Sequence, residues 1–326
     1  MEERNINVDM ICATEIDPTE VRWLWYPYIP YGKITLLHGD PGDGKSLIAM
    51  DLAAKLTAGM PLPFQEEARE PIRVIYQNTE DDASDTVIPR FMNAGGKREN
   101  LWFIDEKEKA LTFEDARIGE AIRRVDAKVL IFDPLVSYIG GDVSMNNANE
   151  VRSRFNPLIE VAKETGCAVI ITGHINKKEG QKALYRSNGS IDVVSSARSA
   201  LVLGRSDTEP NQRILAMQKS NLAAFGPSMV FAIEDGGIVW LEQIEKTADE
   251  VLSSVYSPGG GASDSKKQRA MDFLRGFLKG DPQISSACYD RLNAIGISRR
   301  TAESAKSELG IKSVNQNGVW FWSLPS

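Results

Sequence analysis

Residues 36–47 read LLHGDPGDGKSL, in which Gly39, Gly44, Lys45 and Ser46 satisfy the spacing GxxxxGK[ST] and Gly42 adds a further hinge. Each residue type answers a need of phosphate chemistry. Glycines let backbone N–H groups turn inward around phosphate oxygens, Lys45 offers a cation to the β and γ phosphates, and Ser46 offers a hydroxyl to a magnesium ion. The expected cradle for a nucleoside triphosphate is therefore Gly39, Asp40, Pro41, Gly42, Asp43, Gly44, Lys45, Ser46 and Leu47.

Three further positions complete such a site. KVLIFDP closes an apolar run with Asp133, which would place its carboxylate at the carboxyl edge of a sheet, beside the loop, as a second holder of Mg2+ with Ser46. The competing reading is an ordinary aspartate opening a loop before Pro134. VIYQNTEDD ends another apolar run with Glu80, Asp81 and Asp82; Glu80, first after the strand, is the candidate to polarise water, and the other two would solvate a loop. AVIITGHINKK brings His174 to the same edge, where an imidazole can sense the γ-phosphate, whereas His38 inside the loop's own strand reads as a buried core histidine. Asn176, Lys177, Lys178 and Glu179 imitate the guanine-reading NKxD, but Val136 stands where a GTPase requires the glycine of DxxG, so the guanine reading is weak.

These positions need a scaffold with one common edge. KITLLHG, IRVIYQN, LWFID, KVLIFD and CAVIITGH are apolar almost throughout, as strands buried on both faces must be, and helical stretches separate them. From Ser199 onward SALVLG, RILAMQ, MVFAIE and GIVWLE follow one another through short turns such as EDGG at 234–237. The expectation is an α/β fold with a mostly parallel sheet and an antiparallel extension. SPGGGASDSKK, 257–267, reads as a flexible linker between a domain at 1–256, with its core at about 30–245, and a small domain at 268–326. In the small domain helices are expected at 266–280 and 284–294, and a third after Gly296. That third helix has Ser298 as N-cap, Ala302, Ala305 and Leu309 on one face and Gly310 as its stop. A hairpin turning at Asn317 and Gly318 follows, so a winged helix is expected, with Arg299 and Arg300 on the surface that would meet DNA; the same fold used only for protein contacts is the alternative.

Composition sets the setting. The chain has 326 residues and a net charge of −7, and lacks an apolar stretch near the ~20 residues of a membrane helix. The first residues lack the pattern of a secretory signal, and Cys12, Cys167 and Cys288 have no metal-ligand or disulfide spacing, so a cytoplasmic protein without membrane partners is expected. Residues 264–326 carry ten Lys and Arg against six Asp and Glu, while the remainder holds 28 basic against 39 acidic residues, a contrast that points to an anionic partner for the tail.

Taken together, the phosphate loop, Glu80, the Asp133 strand, GHINK and YRSNGSIDVVSSARSALVLGR resemble the RecA-like P-loop ATPases, above all the RepA-like AAA ATPases of phages, prophages and plasmids, and more distantly the DnaB-type helicases. The resemblance covers roughly residues 15–243 and implies ATP and Mg2+ as cofactors, Glu80 as catalytic glutamate, Asp133 as metal-binding aspartate and His174 as sensor. It implies a homo-oligomeric, hexameric ring in which Arg198 reaches a neighbour's γ-phosphate and Lys219 is a second candidate cation, with a salt bridge beneath the sheet as the alternative for Arg198. The polar loop at 175–189, with Lys177, Lys178 and Arg186, would face single-stranded DNA, or be a solvated surface loop. The function so implied is a replicative helicase-like motor; the competing one is a nucleotide-switched DNA-binding regulator or loader that unwinds nothing.

Overall fold

The computed structural model describes residues 10–141, 143, 145, 147–174, 191–207, 209–256, 262–279, 282–316 and 319–324. A two-stranded antiparallel ribbon of β1 (Trp23–Trp25) and β2 (Ile29–Pro30) leads into the main body. There β3 (Ile34–Gly39) runs through the phosphate loop into α1 (Lys45–Ala58). The chain continues through β4 (Val74–Asn78), α2 (Ile88–Asn93), β5 (Leu101–Trp102), α3 (Arg117–Val125) and β6 (Val129–Asp133). It proceeds through α4 (Leu135–Tyr138), α5 (Ala148–Thr165), β7 (Ala168–His174) and α6 (Ile191–Ser196) to β8 (Ser199–Arg205). Then come β9 (Gln212–Ser220), β10 (Ser228–Glu234), β11 (Gly237–Ile244) and α7 (Ala248–Tyr256).

Nine of these strands form one sheet in the order β11-β10-β9-β8-β3-β7-β6-β4-β5. From β8 to β5 neighbours are parallel, and β9, β10 and β11 extend the sheet antiparallel. The α/β class with a parallel sheet and an antiparallel extension is therefore as read from the apolar runs. Alternate residues of single strands enter different cores: Ile131 packs with Ile48, Leu52 and Leu56 of α1, while Leu130 and Phe132 pack with Phe155 and Leu158 of α5. Burial on both faces explains the nearly unbroken apolar runs. The strand expected at LWFID is short, with only Leu101 and Trp102 paired to β4. At 234–237 Asp235 and Gly236 take positive φ, 49° and 77°, in the tight turn joining β10 to β11.

The C-terminal segment holds α8 (Ala262–Phe277), β12 (Gln283–Ile284), α9 (Ser285–Ala294), α10 (Arg299–Glu308), β13 (Lys312–Gln316) and β14 (Val319–Ser323). Its strands pair antiparallel in the order β12-β14-β13. Leu274, Cys288, Leu292, Ile297, Ala302, Ala305 and Trp322 make its core. Ser298 accepts the Thr301 amide at 3.3 Å, as an N-cap should. Two sequence expectations change here. Helix α8 already runs over 262–267, where SPGGGASDSKK reads as linker, because Ala, Asp, Lys and Gln sustain a helix once the glycines end. The expected hairpin also gains a third strand, β12, too short to register as a periodic run. Residues 257–261 and the turn at Asn317 and Gly318 lie outside the described residues.

Candidate nucleotide site

Strand β3 delivers the loop at the carboxyl edge of the sheet, between β7 and β8, where the strand order reverses and a crevice opens. Gly42 and Gly44 take φ of 80° and 95°, conformations that side chains strain to adopt. Gly44 also lies under β10: a Cβ there would sit 3.1 Å from Ile233 Cδ1. Lys45 opens α1 and is buried, its Nζ donating to the carbonyls of Gly39 at 3.0 Å and Asp40 at 2.9 Å. Burial lowers its pKa, opposed by Asp43 and Asp133. A desolvated ammonium held by two carbonyls is ready to exchange them for phosphate oxygens.

Asp133 ends β6 and is 2% exposed. One carboxylate oxygen accepts from Tyr76 Oη at 2.8 Å and the other from Thr172 Oγ1. Burial and the Asp133 charge hold the Tyr76 hydroxyl well above its ordinary pKa, so it stays a donor. Opposite Asp133 in the parallel register stands Asn78 of β4. Its side-chain carbonyl accepts the backbone amides of Glu80 at 2.9 Å and Asp81 at 2.8 Å, and its amide nitrogen lies 3.5 Å from Asp133. Thr79 is tied to Ser137 of α4 at 2.7 Å. Among the three acids that follow, Asp81 pairs with Arg90 at 2.9 Å and Asp82 accepts the Ser84 amide at 2.7 Å. Glu80 lines the cleft above the phosphate loop.

His174 ends β7 beside Gly39 of β3. Burial, then the Lys45 charge, lowers its pKa against the opposing Glu80 and Asp133 charges, which favours the neutral imidazole. His38 is buried, as expected, and burial pushes its pKa down to about 4 against the opposing influence of the nearby Gln218 side chain. The cleft of about 330 Å³ is bounded by Gly42, Lys45, Ser46, Glu80, Asp133 and His174, so the separately read motifs converge on one volume. Its hydroxyl and carboxylate oxygens, from Ser46 and Asp133, are the hard donors that Mg2+ accepts when phosphate oxygens and water complete the shell.

Arg205, unremarked in the sequence, ends β8 against the loop. Its Nε donates to Asp43 Oδ1 at 2.9 Å, and Asp43 Oδ2 accepts the Asp40 amide at 3.0 Å. No motif signals this pair, since 162 residues separate its members and only the β8–β3 register joins them. Arg198 stands at the other edge of the sheet, its amide donating to the Ile34 carbonyl. Five strand positions, roughly 17 Å, separate it from the loop, so it cannot reach the nucleotide of its own chain. Lys219 donates from Nζ to the carbonyls of Val194, Ser195 and Ala197 at 2.9, 2.9 and 2.7 Å, closing the end of α6. Arg299 lies 4.6 Å over the Tyr289 ring, and both Arg299 and Arg300 are exposed. Lys177, Lys178 and Arg186 lie outside the described residues.

The family model described as AAA domain matches residues 6–180. A DNA repair protein RadA of Halalkalibacterium halodurans is 24% identical over 237 residues, covering 71% of this chain and 45% of that protein. A DNA repair and recombination protein RadB of Methanobrevibacter smithii is 23% identical over 220 residues, covering 64% of this chain and 88% of that one. The chain thus spans less than half the length of the RadA relative. A crystal structure of a KaiC-like protein from Pyrococcus horikoshii superposes with a TM-score of 0.50 at 19% identity, over 66% of this chain and 91% of that one, a likeness of fold.

Proposed function

The chain belongs to the AAA domain family, and from that premise we propose that it is a DNA-associated ATPase working as a homo-oligomeric, hexameric ring on single-stranded DNA, a helicase-like motor. The observation that carries hydrolysis is the convergence of Lys45, Ser46, Glu80, Asp133 and His174 on one cleft. Gly39 to Leu47 enclose the phosphates, and Lys45 leaves its two carbonyls to meet the β and γ oxygens. Ser46 and Asp133 would hold Mg2+, which when bound offsets phosphate charge. Glu80, oriented through its backbone by Asn78, accepts the proton of the attacking water. His174 donates a hydrogen bond toward the γ-phosphate position and reports whether it is filled.

The relatives named for DNA repair and recombination support a DNA partner. Lys177, Lys178 and Arg186 are the proposed contacts from the core, and Arg299 and Arg300 those from the C-terminal segment, read as a winged helix. The distance of Arg198 from its own loop supports a role in trans, completing a neighbour's site, while Lys219 positions it by closing α6. Steady-state hydrolysis with and without single-stranded DNA tests the reading. DNA should stimulate turnover, Lys45→Ala and Glu80→Gln should abolish it, and Arg198→Ala should be rescued by mixing with Lys45→Ala, whose arginine is intact. Hydrolysis that is slow and indifferent to DNA in an assembled sample overturns the motor and leaves the nucleotide-switched regulator.

A further inference from the structure

A second concave site lies at the amino edge of the sheet, away from the phosphate loop. It is a cleft of about 610 Å³ between α5, the start of β3 and the end of α6. Lys33, Arg152, Lys163 and Arg198 line it, with Glu160 as the one carboxylate of the lining. Arg152, Asn156, Glu160 and Lys163 recur at helical spacing on one face of α5. Arg154, two residues from Arg152, points elsewhere and pairs with Glu114. On the opposite wall Ser195 and Ser196 add hydroxyls, presented by the α6 end that Lys219 closes.

Four cationic side chains line this one cleft in a chain whose net charge is −7. Like charges crowded into one cleft repel, and a bound anion relieves that repulsion. Glu160 approaches Lys163 at 3.9 Å, with both side chains well exposed. Guanidinium groups suit phosphate by their fork of donors, and hydroxyl and amide groups complete its hydrogen bonds.

We propose that this amino-edge cleft is a second phosphate-binding site, separate from the nucleotide loop, taking the phosphate groups of a polyphosphate or of a nucleic-acid backbone. The proposal shares Arg198 with the reading of the neighbour's site but requires no ring.

Binding of tripolyphosphate and of a short oligo(dT) is measured by calorimetry on the full chain, with the loop silenced either by Lys45→Ala or by saturation with a non-hydrolysable ATP analogue. At least one probe should bind, and Arg152→Ala with Lys163→Ala should weaken it five-fold or more and reduce its salt slope by about 1 to 2. Arg152→Lys with Lys163→Arg, which keeps the charge, should retain binding. Loss in the tripolyphosphate arm alone identifies a nucleotide-type ligand, and loss in the oligonucleotide arm identifies nucleic acid. Either result supports the cleft even if DNA fails to stimulate hydrolysis. Binding of neither probe, or binding indifferent to the double substitution in folded protein, overturns it.

Discussion

Asp43 and Arg205 form a one-sided ion pair: the carboxylate is 4% exposed, while the guanidinium that meets it at 2.9 Å is 52% exposed. Burial raises the Asp43 pKa and Arg205 pulls it back. The two halves of the pair therefore differ in what their removal leaves behind. Arg205→Ala strands a buried carboxylate within the phosphate loop, whereas Asp43→Asn leaves an arginine that water can satisfy. We expect Arg205→Ala to cost about 1–3 kcal/mol of stability and to raise KM for ATP, and Asp43→Asn to cost less. The double variant should recover part of the Arg205→Ala loss. Urea unfolding and initial rates on all three check this, and equal losses from the two single variants would count against it.

Asn78 joins the two positions proposed for catalysis, Glu80 and Asp133, through one side chain, and its loss should affect turnover more than affinity. Asn78→Ala removes the acceptor for the Glu80 and Asp81 amides and should lower kcat roughly 10- to 100-fold with KM little changed. Asn78→Ser, which keeps a short acceptor, should restore part of the rate. A matched rise in KM, or a serine variant as slow as alanine, would show that Asn78 does not position Glu80.

His38 links folding to pH. Its pKa falls from 6.5 in the unfolded chain to about 4 in the fold, so the unfolded state binds the proton first as pH drops. Stability is then undiminished above pH 6.5 and declines as pH falls toward 4, by about 2 kcal/mol at pH 5. Chemical denaturation at pH 7.5 and pH 5 should show this difference, and His38→Gln should remove that share of it. An unchanged pH difference in the glutamine variant would place the titrating group elsewhere.

How much of this was legible beforehand depends on the range of the interaction. The phosphate loop, Asp133 and His174 carry their meaning within a dozen residues, because an apolar strand announces its own carboxyl end. In the sequence Glu80 is separable from Asp81 and Asp82 only by order along the chain; in the structure Arg90 and the Ser84 amide engage the other two, while Glu80 lines the cleft. The resemblance marks Lys219 as a second candidate cation, and only the folded chain shows three carbonyls converging on it. Arg205 escapes a sequence reading because its partner Asp43 is brought to it only by the β8–β3 register, and the approach of Asn78 to Asp133 likewise comes from the β4–β6 register, although its bonds to the Glu80 and Asp81 amides are local. At the linker, glycines masked a helix start that the following residues sustain.

Strand β8 carries Arg198 immediately before its first residue and Arg205 as its last. Its seven residues, roughly 23 Å of extended chain, are clamped by hydrogen bonds to β3 on one side and β9 on the other. A strand so held slides as a unit or not at all. An arginine facing one edge of the molecule and an arginine gripping the phosphate loop at the other are thus two ends of a single tie-rod, and the length of that rod is set by sequence count alone.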